Sequence, residues 1–123
     1  MYFDHEKLDV YQASVEMVIL VDKIVEGLPK GRGYLVDQIR RASSSITFNI
    51  AEGAGEHSIN EKSRFYRMAK RSATECAGIL DVLGRLDLVD EEDYRDGRTL
   101  LLRIVSMLSK MLINKVSAAS CGT

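Results

Sequence analysis

Apolar side chains recur every three or four residues along four separate segments of the chain. This spacing places the apolar positions on one face of a helix. No segment alternates apolar and polar residues for long enough to predict a strand. We therefore predict an all-α fold with helices at about residues 4–26, 34–52, 59–86 and 91–116, followed by a tail at residues 117–123.

Two parallel apolar stripes mark the first predicted helix. One stripe tolerates a single serine and consists of Val10, Ser14, Met17, Val21, Ile24 and Leu28. The second stripe lies beside it and consists of Leu8, Tyr11, Val15 and Val18. A helix with two stripes has a wide apolar surface, so we expect it to contact more than one neighbouring helix.

Each of the other three segments carries one main stripe. In the second helix the stripe consists of Leu35, Ile39, Ala42, Ile46, Ile50 and Gly53. In the third it consists of Phe65, Met68, Ala69, Ser72, Cys76, Ile79, Leu83 and Leu86. In the fourth it consists of Tyr94, Leu101, Ile104, Val105, Leu108, Met111, Leu112 and Val116. Packing these stripes together predicts one hydrophobic core.

Residues that favour turns and helix caps separate the four segments. Pro29 and the glycines around it end the first helix. Ser58, with Glu61 three residues later, forms a capping-box sequence before the third helix. The acidic residues 90–93 suit a helix N-terminus electrostatically. Because short loops join long helices, we predict a single domain, residues 1–123, folded as an antiparallel up-down-up-down four-helix bundle.

Basic residues concentrate in the middle of the chain, although the formal net charge is only −1. Residues 1–30 hold three basic and six acidic side chains (net −3), residues 31–86 hold nine and six (net +3), and residues 87–123 hold five and six (net −1). A net charge near zero argues against a protein that attracts nucleic acid over its whole surface, but it allows a local basic patch.

The positions of the two cysteines and the lengths of the apolar runs predict where in the cell the protein is located. Cys76 falls within an apolar helical stripe and Cys121 in the tail, so we do not expect the two to pair. No apolar run approaches the about 18–20 residues needed to span a bilayer. The N-terminus lacks a signal-peptide pattern. We therefore expect a location in the reducing cytoplasm, without membrane contact.

A polar stripe runs directly beside the apolar stripe of the second helix, at Gln38, Arg41, Ser45, Asn49 and Glu52. On the third helix, Ser72 and Glu75 lie in line with apolar positions. A carboxylate there needs a partner, because burying an unpaired charge is costly. We expect a polar network between the two helices, centred on Arg41 and Glu75, that fixes the helix register or a subunit contact. A catalytic or ligand-binding role and a solvated surface are the alternatives.

The third helix holds five positive charges within ten residues and no acidic residue among them: Lys62, Arg64, Arg67, Lys70 and Arg71. The three arginines share one helical face by their spacing. Phe65 belongs to the apolar stripe, whereas we expect Tyr66 to be exposed and able to stack on a base. These residues are the candidate nucleic-acid surface. The alternative is a solvated face whose charge is balanced by neighbouring acids such as residues 90–93.

Nothing in the sequence predicts catalysis, a metal site or a cofactor. The two histidines, His5 and His57, have no cysteine or acid at metal-ligand spacing. The serines at residues 43–45 have no nearby histidine that could act as a base. Gly53 and Gly55 end a helix and do not form a phosphate loop after a strand. We therefore expect a protein that is not an enzyme.

The most specific motif is NIAEG at residues 49–53. It lies among QIRRA at 38–42, Ser45-Ile46, Met68-Ala69 and SATE at 72–75. Flanking pieces are Tyr11-Gln12-Ala13, Leu28-Pro29, Gly33-Tyr34-Leu35, Ser106-Met107-Leu108 and Met111-Leu112. Over about residues 3–116, this set resembles the four-helix-bundle family named after ribosomal-RNA intervening sequences, in which a tryptophan is usual at the position of Tyr11.

The resemblance implies an up-down-up-down bundle that assembles as a ring-like homopentamer. Members of that family are encoded inside intervening sequences of 23S ribosomal RNA genes in some bacteria, and elsewhere in genomes. A distant relative, the accessory protein of diversity-generating retroelements, binds nucleic acid and a reverse transcriptase. No enzymatic activity is established for the family.

We therefore expect a homo-oligomeric binding or scaffold protein that contacts RNA or DNA through the basic face of the third helix. A ring would repeat that face and create a cationic belt that one subunit lacks. The alternative is a protein–protein interaction module that docks an unidentified protein on its exposed helix faces and has no affinity for nucleic acid.

Overall fold

A computed structural model describes the backbone of residues 1–122 and the side chains of residues 1–113. A short 3-10 turn, Asp4–Lys7, precedes four helices: α1 (Asp9–Glu26), α2 (Gly33–Ala54), α3 (Ile59–Arg85) and α4 (Glu91–Gly122). Residues 1–122 contain no strand. The all-α class and the number of helices predicted from the sequence are thus confirmed.

Two predicted helix bounds are wrong. The first α-helix begins at Asp9 and not near Asp4, because Leu8 adopts an extended backbone conformation and separates it from the 3-10 turn. The fourth continues to Gly122 through most of the predicted tail, since neither proline nor glycine occurs at residues 113–121. Thr123 and the side chains of Val116 and Cys121, for which the sequence made predictions, lie outside the described residues.

The predicted stripes of α1 and α2 form the core together with residues of the other two helices. The largest side chains with almost no exposure are Met17, Ile39, Ile46, Ile50, Leu80, Leu83, Ile104 and Leu108. The second stripe of α1 is half-buried. Burial of apolar side chains on this scale is the main favourable contribution to folding.

The predicted stripe of α3 is correct at Ala69 and wrong at Phe65, Met68 and Leu86, the last of which is 42% exposed. The buried positions in its N-terminal half are Ser63, Tyr66 and Ala69, whereas Phe65 is half-buried and Met68 is exposed. From Cys76 onward, the prediction and the structure agree at Ile79 and Leu83. The helix is therefore rotated so that Tyr66 enters the core in place of Phe65.

Each helix contacts two others, because α1 packs on α2 and α4, and α3 packs on α2 and α4. The contacts between α2 and α3 run in opposite order along the two helices. A Cβ atom at Gly53, near the end of α2, would lie against Tyr66, and Ser45 earlier in α2 bonds Ser72 later in α3. This arrangement leaves one outer side of every helix facing solvent.

Helix caps form at two of the predicted positions. The Ser58 hydroxyl accepts a hydrogen bond from the Glu61 amide at 3.3 Å, and the Asp90 carboxylate accepts one from the Asp93 amide at 2.8 Å. These bonds satisfy amides that would lack a partner within the first helical turn. The Glu61 side chain does not complete the capping box, because it pairs with Arg64 instead.

Gly53 lies in close contact with the ring of Tyr66. A Cβ atom there would lie 2.7 Å from Cε1 and 2.8 Å from Cδ1 of the Tyr66 ring. We expect Gly53→Ala to lower the free energy of unfolding by about 1–3 kcal/mol, because a buried ring must shift. Gly78→Ala is the matched control: its Cβ would meet nothing within 4 Å, and the change should raise stability by about 1 kcal/mol. Equal effects in urea denaturation would contradict this packing.

Candidate nucleic-acid interface on the third helix

The outer side of α3 carries the basic residues predicted from the sequence. Arg64, Arg67 and Arg71 are exposed, and Lys70 is half-exposed. Arg64, Arg67 and Lys70 follow one another at spacings of three residues, and Arg71 lies four residues after Arg67, so the four occupy neighbouring positions on the helix surface. We call Arg64, Arg67, Lys70 and Arg71 the basic row.

Lys62 lies apart from the basic row because its side chain turns toward the end of α2. Its Nζ donates hydrogen bonds to the carbonyl oxygens of Gly53 at 2.8 Å and Ala54 at 3.0 Å. These carbonyls belong to the last turn of α2, where the Gly53 carbonyl also accepts the Glu56 amide at 3.2 Å. Lys62 thus caps the end of α2, and its role in nucleic-acid binding stays a prediction.

Arg64 is exposed and has an acidic partner on its own helix. Its Nε and Nη2 donate to Glu61 Oε2 at 3.1 and 2.9 Å, and its guanidinium lies 4.5 Å from the Phe65 ring centroid. The contact with Glu61 raises the pKa of Arg64 above its usual value. An exposed pair of this kind contributes little to stability, so it leaves Arg64 available to exchange Glu61 for another anion.

Tyr66 is buried, with 2% of its surface exposed, and cannot stack on a base as predicted. Its ring occupies the space that Gly53 leaves open on α2. Burial raises the pKa of the Tyr66 hydroxyl, because it disfavours the charged form. A small residue on a different helix thus decides which side of α3 faces inward.

Three side chains of the basic row have no acidic partner among the described residues: Arg67, Lys70 and Arg71. Their side chains form no hydrogen bond or ion pair with any residue between 1 and 113. Residues 90–93 do not balance them within the chain, since Asp93 pairs with Lys23 of α1 at 3.0 Å and Asp90 caps α4. Three cations on one exposed stretch can attract a polyanion.

The polar network between α2 and α3 forms in part. The hydroxyls of Ser45 and Ser72 lie 2.9 Å apart, and the Asn49 amide donates to the Ser45 carbonyl at 2.9 Å and hydroxyl at 3.0 Å. These three half-buried residues satisfy one another's polar groups, which is the condition for burying them without a large cost. The Ser45–Ser72 hydrogen bond confirms a polar contact between the two helices.

The charged members of that network are not where the sequence prediction puts them. Arg41 and Glu75 are exposed, as are Gln38 and Glu52. Arg41 and Glu75 form no ion pair with each other, and neither side chain bonds any other described residue. The predicted ion pair is wrong, because both side chains are exposed and lie outside the serine contact.

Two polar contacts of α4 were missed from the sequence. Lys23 pairs with the largely buried Asp93, and Tyr94 donates a hydrogen bond to Asp81 at 2.7 Å. The Tyr94 ring packs on Gly84, where a Cβ atom would lie 3.2 Å away. An aromatic residue in the first turn of α4 and a glycine near the end of α3 could have signalled this contact.

A cleft of about 550 Å³ lies beside Tyr94, where the end of α3 meets the start of α4, and Asp81, Arg85, Asp87, Glu91 and Arg98 are among its lining residues. Its charged groups are mixed in sign and include no nucleophile paired with a base. In the part of the chain with described side chains, no three histidine, cysteine or acidic residues group as metal ligands. None of the described helices combines the length and hydropathy that a bilayer crossing requires.

The family model described as 23S rRNA-intervening sequence protein matches residues 6–110, which is most of the chain. The chain belongs to that family. This membership confirms the resemblance carried by the NIAEG motif and its neighbours in α2 and α3.

One solved relative shares the fold. It is a protein with unknown function from the S23 ribosomal protein family of Bacteroides thetaiotaomicron VPI-5482, known from a crystal structure at 1.70 Å resolution. The TM-score is 0.77 at 22% sequence identity, and the match covers 84% of this chain and 97% of that chain. No curated protein matches the sequence.

Proposed function

We propose that this member of the 23S rRNA-intervening sequence protein family is a non-enzymatic, oligomeric binding protein that contacts RNA or DNA through the basic row. One observation carries the proposal: Arg67, Lys70 and Arg71 lie together on an exposed stretch of α3 with no acidic partner. Lysine and arginine side chains placed in this way bind phosphate groups and release counterions.

The contact would be made to the nucleic-acid backbone. Phosphate contacts position a protein on its target, whereas base contacts give sequence specificity. Burial of Tyr66 removes the aromatic side chain that was expected to stack on a base, and the half-buried Phe65 ring is in contact with the Arg64 guanidinium. The proposed binding is therefore strongly dependent on salt and weakly dependent on sequence.

Assembly belongs to the same proposal. The resemblance implies an antiparallel up-down-up-down bundle in a ring-like homopentamer, and the opposite order of the contacts between α2 and α3 supports the antiparallel part. Repeating the basic row around a ring lets one strand engage several copies, which raises the overall affinity without new contacts. A cytoplasmic location is part of the proposal, and the free buried thiol of Cys76 supports it.

The test is a comparison of two triple variants with equal charge loss. We expect Arg64→Ala, Arg67→Ala and Arg71→Ala together to weaken binding of a fluorescent single-stranded RNA by about tenfold or more at low salt. The control replaces Arg95, Arg103 and Lys110 by alanine, since these are exposed cations on α4. Fluorescence anisotropy measures binding and circular dichroism checks the fold. An equal loss of affinity in both variants would remove the proposal.

A protein–protein interaction module remains the second candidate, because large apolar side chains are exposed on several helices. They include Ile19 on α1, Phe48 on α2 and Leu102 on α4. Exposed apolar patches of sufficient size mark interaction sites. This candidate predicts no measurable affinity of the wild-type protein for RNA or DNA at physiological salt, which the same anisotropy experiment decides.

A further inference from the structure

A groove with mostly apolar walls lies between α3 and α4 and has a volume of about 210 Å³. Small side chains open it on the α3 side, at Ala73, Thr74 and Ala77. Larger side chains form the facing wall on α4, at Leu101, Leu102 and Val105. Leu102 is 58% exposed, so the groove is accessible from solvent. An accessible apolar space with a few polar groups at its edges is typical of a ligand site.

Lys70 of the basic row lies at one end of the groove. It precedes Ala73, Thr74 and Ala77 by three, four and seven residues, so all four share one face of α3. The Lys70 side chain forms no hydrogen bond or ion pair with any residue between 1 and 113. Arg71 precedes Thr74 by three residues and is exposed beside it. A phosphate group bound by these two cations therefore lies next to the groove.

Asp81 and Arg98 line the opposite end of the groove, toward the turn between α3 and α4. The Asp81 Oδ1 atom accepts a hydrogen bond from the Tyr94 hydroxyl at 2.7 Å, which orients the carboxylate. The Oδ2 atom accepts no hydrogen bond from residues 1–113. The groove thus has cations at one end and a hydrogen-bond acceptor at the other, with apolar walls between them.

The size and the charges of the groove together indicate a nucleotide as its occupant. Pockets for drug-sized ligands hold about 300–1,000 Å³, so a groove of about 210 Å³ suits a flat group of one or two rings. Proteins that bind single-stranded RNA take up bases that are splayed out of the strand. When a base lies between the apolar walls, its phosphate is within the range of the long Lys70 and Arg71 side chains. An uncharged apolar ligand would leave these cations unused.

Guanine is the base whose edge matches the Asp81 end of the groove. Its Watson–Crick edge carries two adjacent donors, N1–H and the N2 amino group, which an ionised carboxylate can accept together. Adenine and cytosine place an acceptor beside their amino donor, and that acceptor repels a carboxylate. The guanine O6 atom accepts hydrogen bonds from a guanidinium, and Arg98 on α4 supplies this group.

We propose that the groove binds one unpaired guanine base of the strand whose phosphates contact the basic row. Asp81 accepts hydrogen bonds from the edge of the base, and Lys70 and Arg71 bind the adjacent phosphate. The inference rests on the proposed function and adds to it a base contact at one position. The basic row supplies affinity and salt dependence, whereas the groove supplies a preference for guanine.

The first experiment removes the base and keeps the phosphates. Fluorescence anisotropy compares an oligouridine strand that carries one central guanosine with the same strand carrying an abasic residue at that position. We expect the wild-type protein to bind the guanosine strand about fivefold more tightly or better. Because both strands have the same number of phosphates, the basic row alone would bind them equally.

Filling the groove tests where the base binds. Ala77→Leu adds bulk inside the groove and removes no charge, so the variant should bind the guanosine strand only as well as the abasic strand. Thr99→Leu is the matched control, because Thr99 is exposed on α4 and lies outside the groove. It should keep the wild-type ratio of the two affinities. Circular dichroism checks the fold of both variants.

Asp81→Asn separates base recognition from general electrostatics. The change removes a negative charge, so a purely electrostatic contact would become tighter for every strand. Recognition of guanine predicts the reverse for the guanosine strand, with a loss of about fivefold relative to the abasic strand. Asp96→Asn, at an exposed position of α4, removes the same charge and should leave that ratio unchanged.

The outcomes distinguish this inference from the proposed function. A wild-type protein that binds no strand would overturn both. Binding that depends on the arginines of the basic row but is equal for guanosine and abasic strands would overturn the groove contact and leave the row standing. If Ala77→Leu changed the mass of the assembly in light scattering and kept the affinity ratio, the groove would belong to a contact between chains, and the base contact would be wrong.

Discussion

Replacing Tyr66 by alanine should lower the free energy of unfolding by about 3–5 kcal/mol, the usual cost of removing a buried aromatic side chain. Tyr66 is 2% exposed and packs against Gly53 of α2. The loss combines the transfer free energy of the ring with the cavity that it leaves. Urea denaturation followed by circular dichroism measures the change.

Tyr34→Ala is the matched control for that prediction. Tyr34 is 58% exposed at the start of α2, and a surface substitution of this kind should change stability by no more than about 0.5 kcal/mol. If Tyr66 instead served as a stacking platform, Tyr66→Ala would weaken RNA binding and leave the stability nearly unchanged. That result would contradict the orientation of α3 described above.

Raising the pH from 9 to 12 should remove the stability that depends on the buried thiol of Cys76. Burial, and to a smaller extent the charge of Glu75, raises the pKa of this thiol from 9.0 to about 12. The folded state therefore keeps the proton that the unfolded chain releases above about pH 9. The contribution is fully present below that pH and falls by at most about 1.4 kcal/mol per pH unit, for a total of about 4 kcal/mol.

Other groups titrate in the same range, so the prediction concerns a difference between two proteins. Cys76→Ala removes the thiol but leaves Tyr66 and Lys23, whose pKa values are also raised, in place. The wild-type midpoint in urea should fall more steeply between pH 9 and 11 than the midpoint of the variant. Parallel pH profiles would show that the thiol is not held in its neutral form by the core.

The helices and most of the core could be predicted because periodicity reports which face of a helix is apolar. The stripes of α1 and α2 are clear, since apolar residues recur there every three or four positions with mostly polar residues between them. In α3 the pattern is ambiguous, because Phe65, Tyr66 and Met68 are all large enough to fill the core. Tyr66 enters the core because its ring fits the space beside Gly53, a residue of α2.

In the candidate site, the sequence predicts the features that depend on α3 alone, but not the contacts between α3 and other helices. Arg67 and Arg71 are exposed as expected, because no apolar neighbour on α3 covers them. Lys62 bonds carbonyls at the end of α2, a contact that requires the turn between the helices to be known. Arg41 and Glu75 show the same limit. Their spacing places them near the α2–α3 contact, but it does not give the distance between side chains on two different helices.

The dependence of RNA affinity on salt tests most directly whether the basic row binds nucleic acid. The measurement is the slope of the logarithm of the binding constant against the logarithm of KCl concentration, for the wild-type protein and for the Arg64, Arg67 and Arg71 triple alanine variant. If all three arginines contact phosphates of a single strand, the slope should become shallower by about 2. Equal slopes for the two proteins would contradict the proposed interface.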